Sequence, residues 1–137
     1  MMARHLVAGT LALAAVVVAA PAALAQQQPP AVKRTELMRV PIAGMEGKEG
    51  VVFRADFPPG AVSPRHTHPG QEFLYVLDGT LVIEPDGGPA ETVKAGGTST
   101  NPTGRVHTAK NPSATEPTHV LVFLLAEKGQ PLATPAK

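Results

Sequence analysis

Turn-forming clusters cut the chain after residue 50 into segments too short for helices. Pro58-Pro59-Gly60, Asp78-Gly79, Pro85 to Pro89, Gly96-Gly97, Pro102-Thr103-Gly104 and Lys128-Gly129 recur at close intervals. Between them lie Val51 to Phe57, Glu72 to Leu77, Thr80 to Glu84, Glu91 to Lys94, Thr98 to Asn101, Arg105 to Lys110 and Val120 to Ala126. In the first, Val51, Phe53, Ala55 and Phe57 alternate with Val52, Arg54 and Asp56, the period of a half-buried strand. Asp78-Gly79 readily supplies the backbone angles of a tight hairpin between its neighbours. No segment sustains a helical period and no internal repeat is present. Many short strands in one small domain predict an all-β fold, a sandwich or a barrel, with no substantial helix beyond the N-terminal leader.

That leader is legible by its three parts. Arg4 sits in a short basic stretch, apolar and small residues run from Leu6 to Ala20, and Pro21 precedes Ala23-Leu24-Ala25. The pattern is that of a secretory signal with cleavage after Ala25. A retained membrane anchor is the competing reading, since Leu6 to Ala25 nearly spans a bilayer. Without a twin-arginine pair, the general secretory route and a periplasmic or extracellular home are expected. Residues 1–25 are thus read as signal peptide, 26–38 as a flexible polar arm, 39–127 as the barrel and 128–137 as a C-terminal tail.

Charge and composition narrow the partners. The 12 Lys and Arg are offset by 11 Asp and Glu, scattered rather than run together, which argues against nucleic acid and against a membrane surface after cleavage. Cysteine is absent, so disulfides, zinc-thiolate sites and cysteine nucleophiles are excluded. Any metal must be held by histidine and carboxylate.

His66 and His68 are two residues apart, so on a strand both imidazoles leave the same face. Glu72 returns at even spacing after Pro69-Gly70, and His107 follows a Pro-x-Gly turn later in the chain. The full spacing is Gly60, five residues, His66, one, His68, three, Glu72, six, Gly79, followed downstream by Gly96, five, Pro102, one, Gly104, two, His107, three, Asn111. These are the two signatures of the cupin superfamily, and from about Arg39 to Glu127 the sequence resembles a small single-domain cupin. The resemblance implies a jelly-roll barrel holding one divalent metal ion in its mouth through His66, His68, Glu72 and His107. It also implies a homodimer as a common assembly. Three imidazoles and a carboxylate suit a borderline ion; octahedral preference favours Mn(II) or Fe(II), with Ni(II), Cu(II) and Zn(II) left open.

One segment departs from the family. After Gly96 the residues are Gly97, Thr98, Ser99, Thr100 and Asn101, where an acidic and then apolar stretch is usual. Either this strand is short and partly solvated, or its hydroxyls and amide line the pocket. His119 belongs to neither signature and is read as hydrogen-bonded or solvent-facing. Arg65 and Arg105 adjoin ligand positions and are read as rim charges, with a substrate carboxylate as their other use. Phe73 and Tyr75 are read as packing residues.

Three functions follow from a metal-binding barrel of this kind. The first is a dioxygenase-type oxidoreductase acting on a small molecule. The second is a non-catalytic module for metal or a small ligand, and the third a lyase or isomerase using the metal to polarise a carbonyl. Fold alone does not choose among them.

Overall fold

A computed structural model describes residues 30–137; the expected leader, its cleavage site and the start of the polar arm lie outside the described residues. Ten strands follow in order: β1 (Lys33–Pro41), β2 (Lys48–Phe57), β3 (His66–Thr67), β4 (Gly70–Asp78) and β5 (Thr80–Pro85), then β6 (Glu91–Lys94), β7 (Thr98–Asn101), β8 (His107–Lys110), β9 (Thr118–Glu127) and β10 (Thr134–Pro135). They form two five-stranded antiparallel sheets, ordered β1-β2-β9-β4-β7 and β10-β3-β8-β5-β6. No helix occurs among the described residues. The chain is therefore the all-β barrel that the turn punctuation predicts.

The core comes from strict alternation on facing strands. β2 turns Val51, Phe53, Ala55 and Phe57 inward, and β9 answers with Val120, Val122, Leu124 and Ala126, all buried. The antiparallel register sets Val51 against Leu124, Phe53 against Val122 and Ala55 against Val120, so the two apolar rows coincide. Full burial of a ring such as Phe53 contributes roughly 2–3 kcal/mol. At Gly70 the backbones of β4 and β9 come so close that a Cβ would lie 1.9 Å from the Leu125 carbonyl oxygen. Gly79 takes a φ of +77° at the hairpin joining β4 to β5, as the Asp-Gly dipeptide requires.

Asn111 closes the open end of β8. Its buried amide nitrogen donates to the carbonyls of Phe57, Pro58 and Glu116 at 3.1, 3.2 and 2.8 Å, and its Oδ1 accepts from the Ser113 amide at 3.0 Å. Asn111→Ala is expected to cost about 2 kcal/mol, because it strands buried carbonyls without partners. Asn111→Asp should cost more, since it turns an acceptor toward three acceptors. Urea unfolding of the two variants checks the order.

Three expectations need correction. The arm read as flexible over 26–38 is from Lys33 onward part of β1, paired along β2 from Lys33–Asp56 to Pro41–Glu49. The tail read as 128–137 is not free either. β10 pairs with β3, Thr134 opposite Thr67 and Pro135 opposite His66. Both segments lack strong apolar alternation and are ordered by backbone pairing with distant strands. Phe73 and Tyr75 do not pack in the core: they are 47% and 43% exposed, while Leu74 and Val76 are buried. Glu72 points into the barrel, and a strand's period of two then sends 74 and 76 inward with it. Phe73 lies against Phe123 on the outer face, ring centroids 6.1 Å apart.

Candidate metal centre

β3 and β8 are short strands of the second sheet, and their single register pair sets His66 directly opposite His107. His68 follows β3 immediately. Glu72 lies on β4 of the other sheet, where its partner across β7 is Asn101. The expected ligands thus reach one place from both sheets. Ring centroids of His66 and His107 are 4.4 Å apart, those of His66 and His68 4.9 Å, and those of His68 and His107 5.2 Å. One nitrogen from each ring falls within 4.8 Å of the others. Glu72 Oε1 is 3.3 Å from His68 Nε2, and Oε2 is 3.8 Å from His107 Nε2. His66, His68, Glu72 and His107 are all at most 5% exposed.

The outward nitrogens determine what the inward ones can do. His66 Nδ1 meets the Pro64 carbonyl at 2.7 Å, His68 Nδ1 the Leu132 carbonyl at 2.6 Å, and His107 Nδ1 the Arg105 carbonyl at 3.1 Å. A carbonyl only accepts, so each Nδ1 carries a proton, and Nε2 is the nitrogen left to offer a lone pair inward when the ring is neutral. Burial pushes the His66 imidazole from its ordinary 6.5 down to about 3, with nearby His107, His68 and Arg34 acting in the same direction. Burial also lowers His68, partly opposed by the charge of Glu72. His68 Nε2 is buried without a hydrogen-bond partner; Glu72 Oε1 stands near it but makes no bond. Converging buried lone pairs beside a carboxylate are costly unless a shared cation satisfies them. The donor set fits a divalent ion.

Asn101 resolves the open question about the polar strand. Its buried Nδ2 donates to Glu72 Oε2 at 2.6 Å, so the amide does line the pocket. The hydroxyls do not join it: Thr100 Oγ1 donates to the Glu72 backbone carbonyl at 2.6 Å, and Ser99 Oγ donates to Glu91 at 2.6 Å on the outside. Arg65 pairs with Asp86 at the exposed surface, and Arg105 is exposed, as rim charges would be. His119 is half-buried and hydrogen-bonded to Asp56 at 2.6 Å, far from any ligand role.

The three histidines and Glu72 border a cavity of about 30 Å³ inside the barrel, otherwise walled mainly by Phe53, Phe57, Leu81 and Ile83. On the measure by which one water needs roughly 10–15 Å³, that is space for about two waters or a group of similar size. Arg34 also borders this cavity, and with Pro64, His66, Ala133 and Pro135 it lines a second pocket of about 130 Å³. Sequence reading missed two contributors. Arg34 fell within the presumed arm, and only the faint alternation of β1 could have signalled it. Leu132 acts through a carbonyl, which leaves no trace in residue type.

Truncation after Gln130 tests the C-terminal segment's support of the site, since it removes both the Leu132 carbonyl and β10. Without Leu132, His68 loses the acceptor that holds its tautomer and ring direction, and metal affinity is expected to fall roughly tenfold. Competition with a fluorescent chelator measures it, with circular dichroism to show that the two sheets persist.

The fold and pocket together define a jelly-roll barrel with a histidine-lined interior. The chain belongs to the cupin family: the family's cupin-domain model matches residues 53–124. A germin-like protein of Arabidopsis thaliana, subfamily 2 member 4, is 34% identical over 85 residues, which are 58% of this chain and 39% of that protein. The chain therefore spans about two fifths of that relative's length. An oxalate oxidase solved in complex with the substrate analogue glycolate superimposes with a TM-score of 0.61 at 27% identity, covering 75% of this chain and 54% of that one. A cupin domain from Bordetella pertussis, 22% identical with a TM-score of 0.56, covers 72% of this chain and 97% of its own, and shows the shared fold.

Proposed function

We propose that this cupin binds one divalent metal ion through Nε2 of His66, His68 and His107 and a carboxylate oxygen of Glu72, with Mn(II) or Fe(II) as the resident ion. At that centre it acts on a small molecule as a dioxygenase-type oxidoreductase in the periplasm or outside the cell. The observation that carries this reading is the arrangement of the three imidazoles, each fixed by a carbonyl on Nδ1 and turned inward by Nε2. Likeness to an oxalate oxidase supports the oxidoreductase class.

When bound, such an ion supplies Lewis acidity and a redox couple. The protein's own residues supply the rest. Asn101 holds Glu72 by Oε2, which leaves Oε1 for the ion or for a proton taken from a substrate. The apolar wall limits water in the cavity and so strengthens every electrostatic interaction within it. The cavity's size restricts the reacting group to a few heavy atoms.

Elemental analysis of protein recovered from its own compartment, followed by oxygen uptake against small acids, phenols, diketones and thiols, tests this reading. One redox-active ion per chain with substrate-dependent uptake is expected. A redox-silent ion with no turnover would favour the binding module. The export step has its own check: intact-mass analysis should give an N-terminus at Gln26, and a full-length species held in membranes would overturn it.

A further inference from the structure

Three of the five arginines among the described residues are matched to carboxylates. Arg39 meets Glu36 and Glu49, Arg54 meets Asp56, and Arg65 meets Asp86. Arg105 stands exposed at the surface. Arg34 is different, being half-buried at the metal cavity with no ion-pair or hydrogen-bond partner for its side chain among the described residues. Its placement follows from register. Arg34 lies opposite Ala55 on β2, a buried inward-facing position, so the arginine side chain enters the barrel on the same face. The small Ala55 side chain, between Phe53 and Phe57, leaves the guanidinium its path.

Glu72 is not its counterion by contact. One Glu72 oxygen is held by Asn101 and the other faces His68. Burial pulls the Arg34 pKa below its ordinary value, and the charge of Glu72, felt at a distance, opposes this. A guanidinium stays charged even so. The lined space sets one arginine without a partner against a single carboxylate already held by Asn101, in a largely apolar wall, and a bound divalent ion would add to its positive charge. Such a space favours an anion, and a planar guanidinium fork matches a carboxylate by two parallel hydrogen bonds.

We infer that Arg34 is the anchor for a small organic acid, whose carboxylate it holds beside the metal centre while the rest of the molecule extends into the pocket walled by Pro64, Ala133 and Pro135. This inference rests on the proposed metal site for its second contact. Arg34 then sets ligand class, and residues 133–135 set the tolerated length.

The test uses the full mature chain, stripped of metal and loaded with Mn(II), titrated with acetate, glycolate and the uncharged glycolamide by isothermal calorimetry and by melting shift. The wild-type protein should bind the two carboxylates and not the amide. Arg34→Gln should weaken carboxylate binding at least tenfold while metal content stays at one per chain, and Arg34→Lys should recover part of it. Equal affinity in Arg34→Gln, or equal binding of glycolamide, would overturn the inference while leaving the metal reading intact. Carboxylate binding that depends on Arg34 in a chain unable to take up metal would uphold the anchor and defeat the metal reading. Loss of metal along with the anion in Arg34→Gln would show that Arg34 only shapes the metal site, and would overturn the anchor.

Discussion

His107→Ala is expected to remove most of the bound metal, lowering affinity by about 100-fold or more. His107 is 2% exposed and stands across the β3–β8 pair from His66. Its loss leaves two imidazoles and one carboxylate around an opened space. Loss of an outer partner alone costs about 10–100-fold, and loss of a ligand itself exceeds that. The barrel should survive, since β8 is held mainly by β5, from Val82–Lys110 to Pro85–His107, through backbone bonds that any residue makes. His68→Ala should behave likewise. His119→Ala should not, because His119 pairs with Asp56 at the far end of β9. Elemental analysis after gel filtration decides the matter, and full occupancy in His107→Ala would sink the assignment.

Removing the metal from the intact protein should lower its melting temperature on the order of 10 °C. The candidate ligands, on β3, just after it, on β4 and on β8, meet only in the folded barrel, so an ion held by them would bind the native state and stabilise it by mass action. At a hundred times the dissociation constant the gain is about 2.7 kcal/mol, and a domain this small shifts roughly 4 °C or more per kcal/mol. The pH dependence has two parts. In the unfolded chain His66 takes up a proton as pH falls through 6.5, whereas in the folded one it stays neutral to about 3. The unfolded state therefore binds more protons in that window, and stability is lost as pH falls from 6.5 toward 3 with or without metal. Free imidazoles would lead one to expect the metal's contribution to fade below about pH 6. Burial changes that expectation: protons do not compete for folded His66 until far lower pH, and His68 is shifted in the same direction. Both melting curves should drop at about pH 5 while a gap between them persists. Coincident curves for stripped and loaded protein, with metal content verified, would show that the ion contributes nothing to the fold.

The grouping of the candidate ligands was legible because two spaced signatures tie side chains to strand phase. His66, His68, Glu72 and His107 occupy the cavity that the spacing implied. Apart from the two-residue β3, the strands from β2 to β9 were legible too, since Gly and Pro mark most of their ends. Where the reading went astray, pairing at long range outweighed local pattern. Lys33 to Met38 look like linker but are held by β2, with a bulge between Glu36 and Met38 that breaks their alternation. Thr134 and Pro135 carry no strand signal of their own and are aligned by β3. Phe73 and Tyr75 were read as packing residues from their alternation with Leu74 and Val76, and the phase set by Glu72 puts them on the outer face. Asn101 was ambiguous from sequence because an amide suits both turns and pockets, and only its register opposite Glu72 decides.

The bond from His68 to the Leu132 carbonyl joins residues 64 positions apart. A ribosome releases His66, His68, Glu72 and His107 well before it makes Leu132, so a nascent chain carries all its candidate ligands while one of them still lacks its support. Were an ion held here as proposed, a site at full strength would await the completed C-terminal segment.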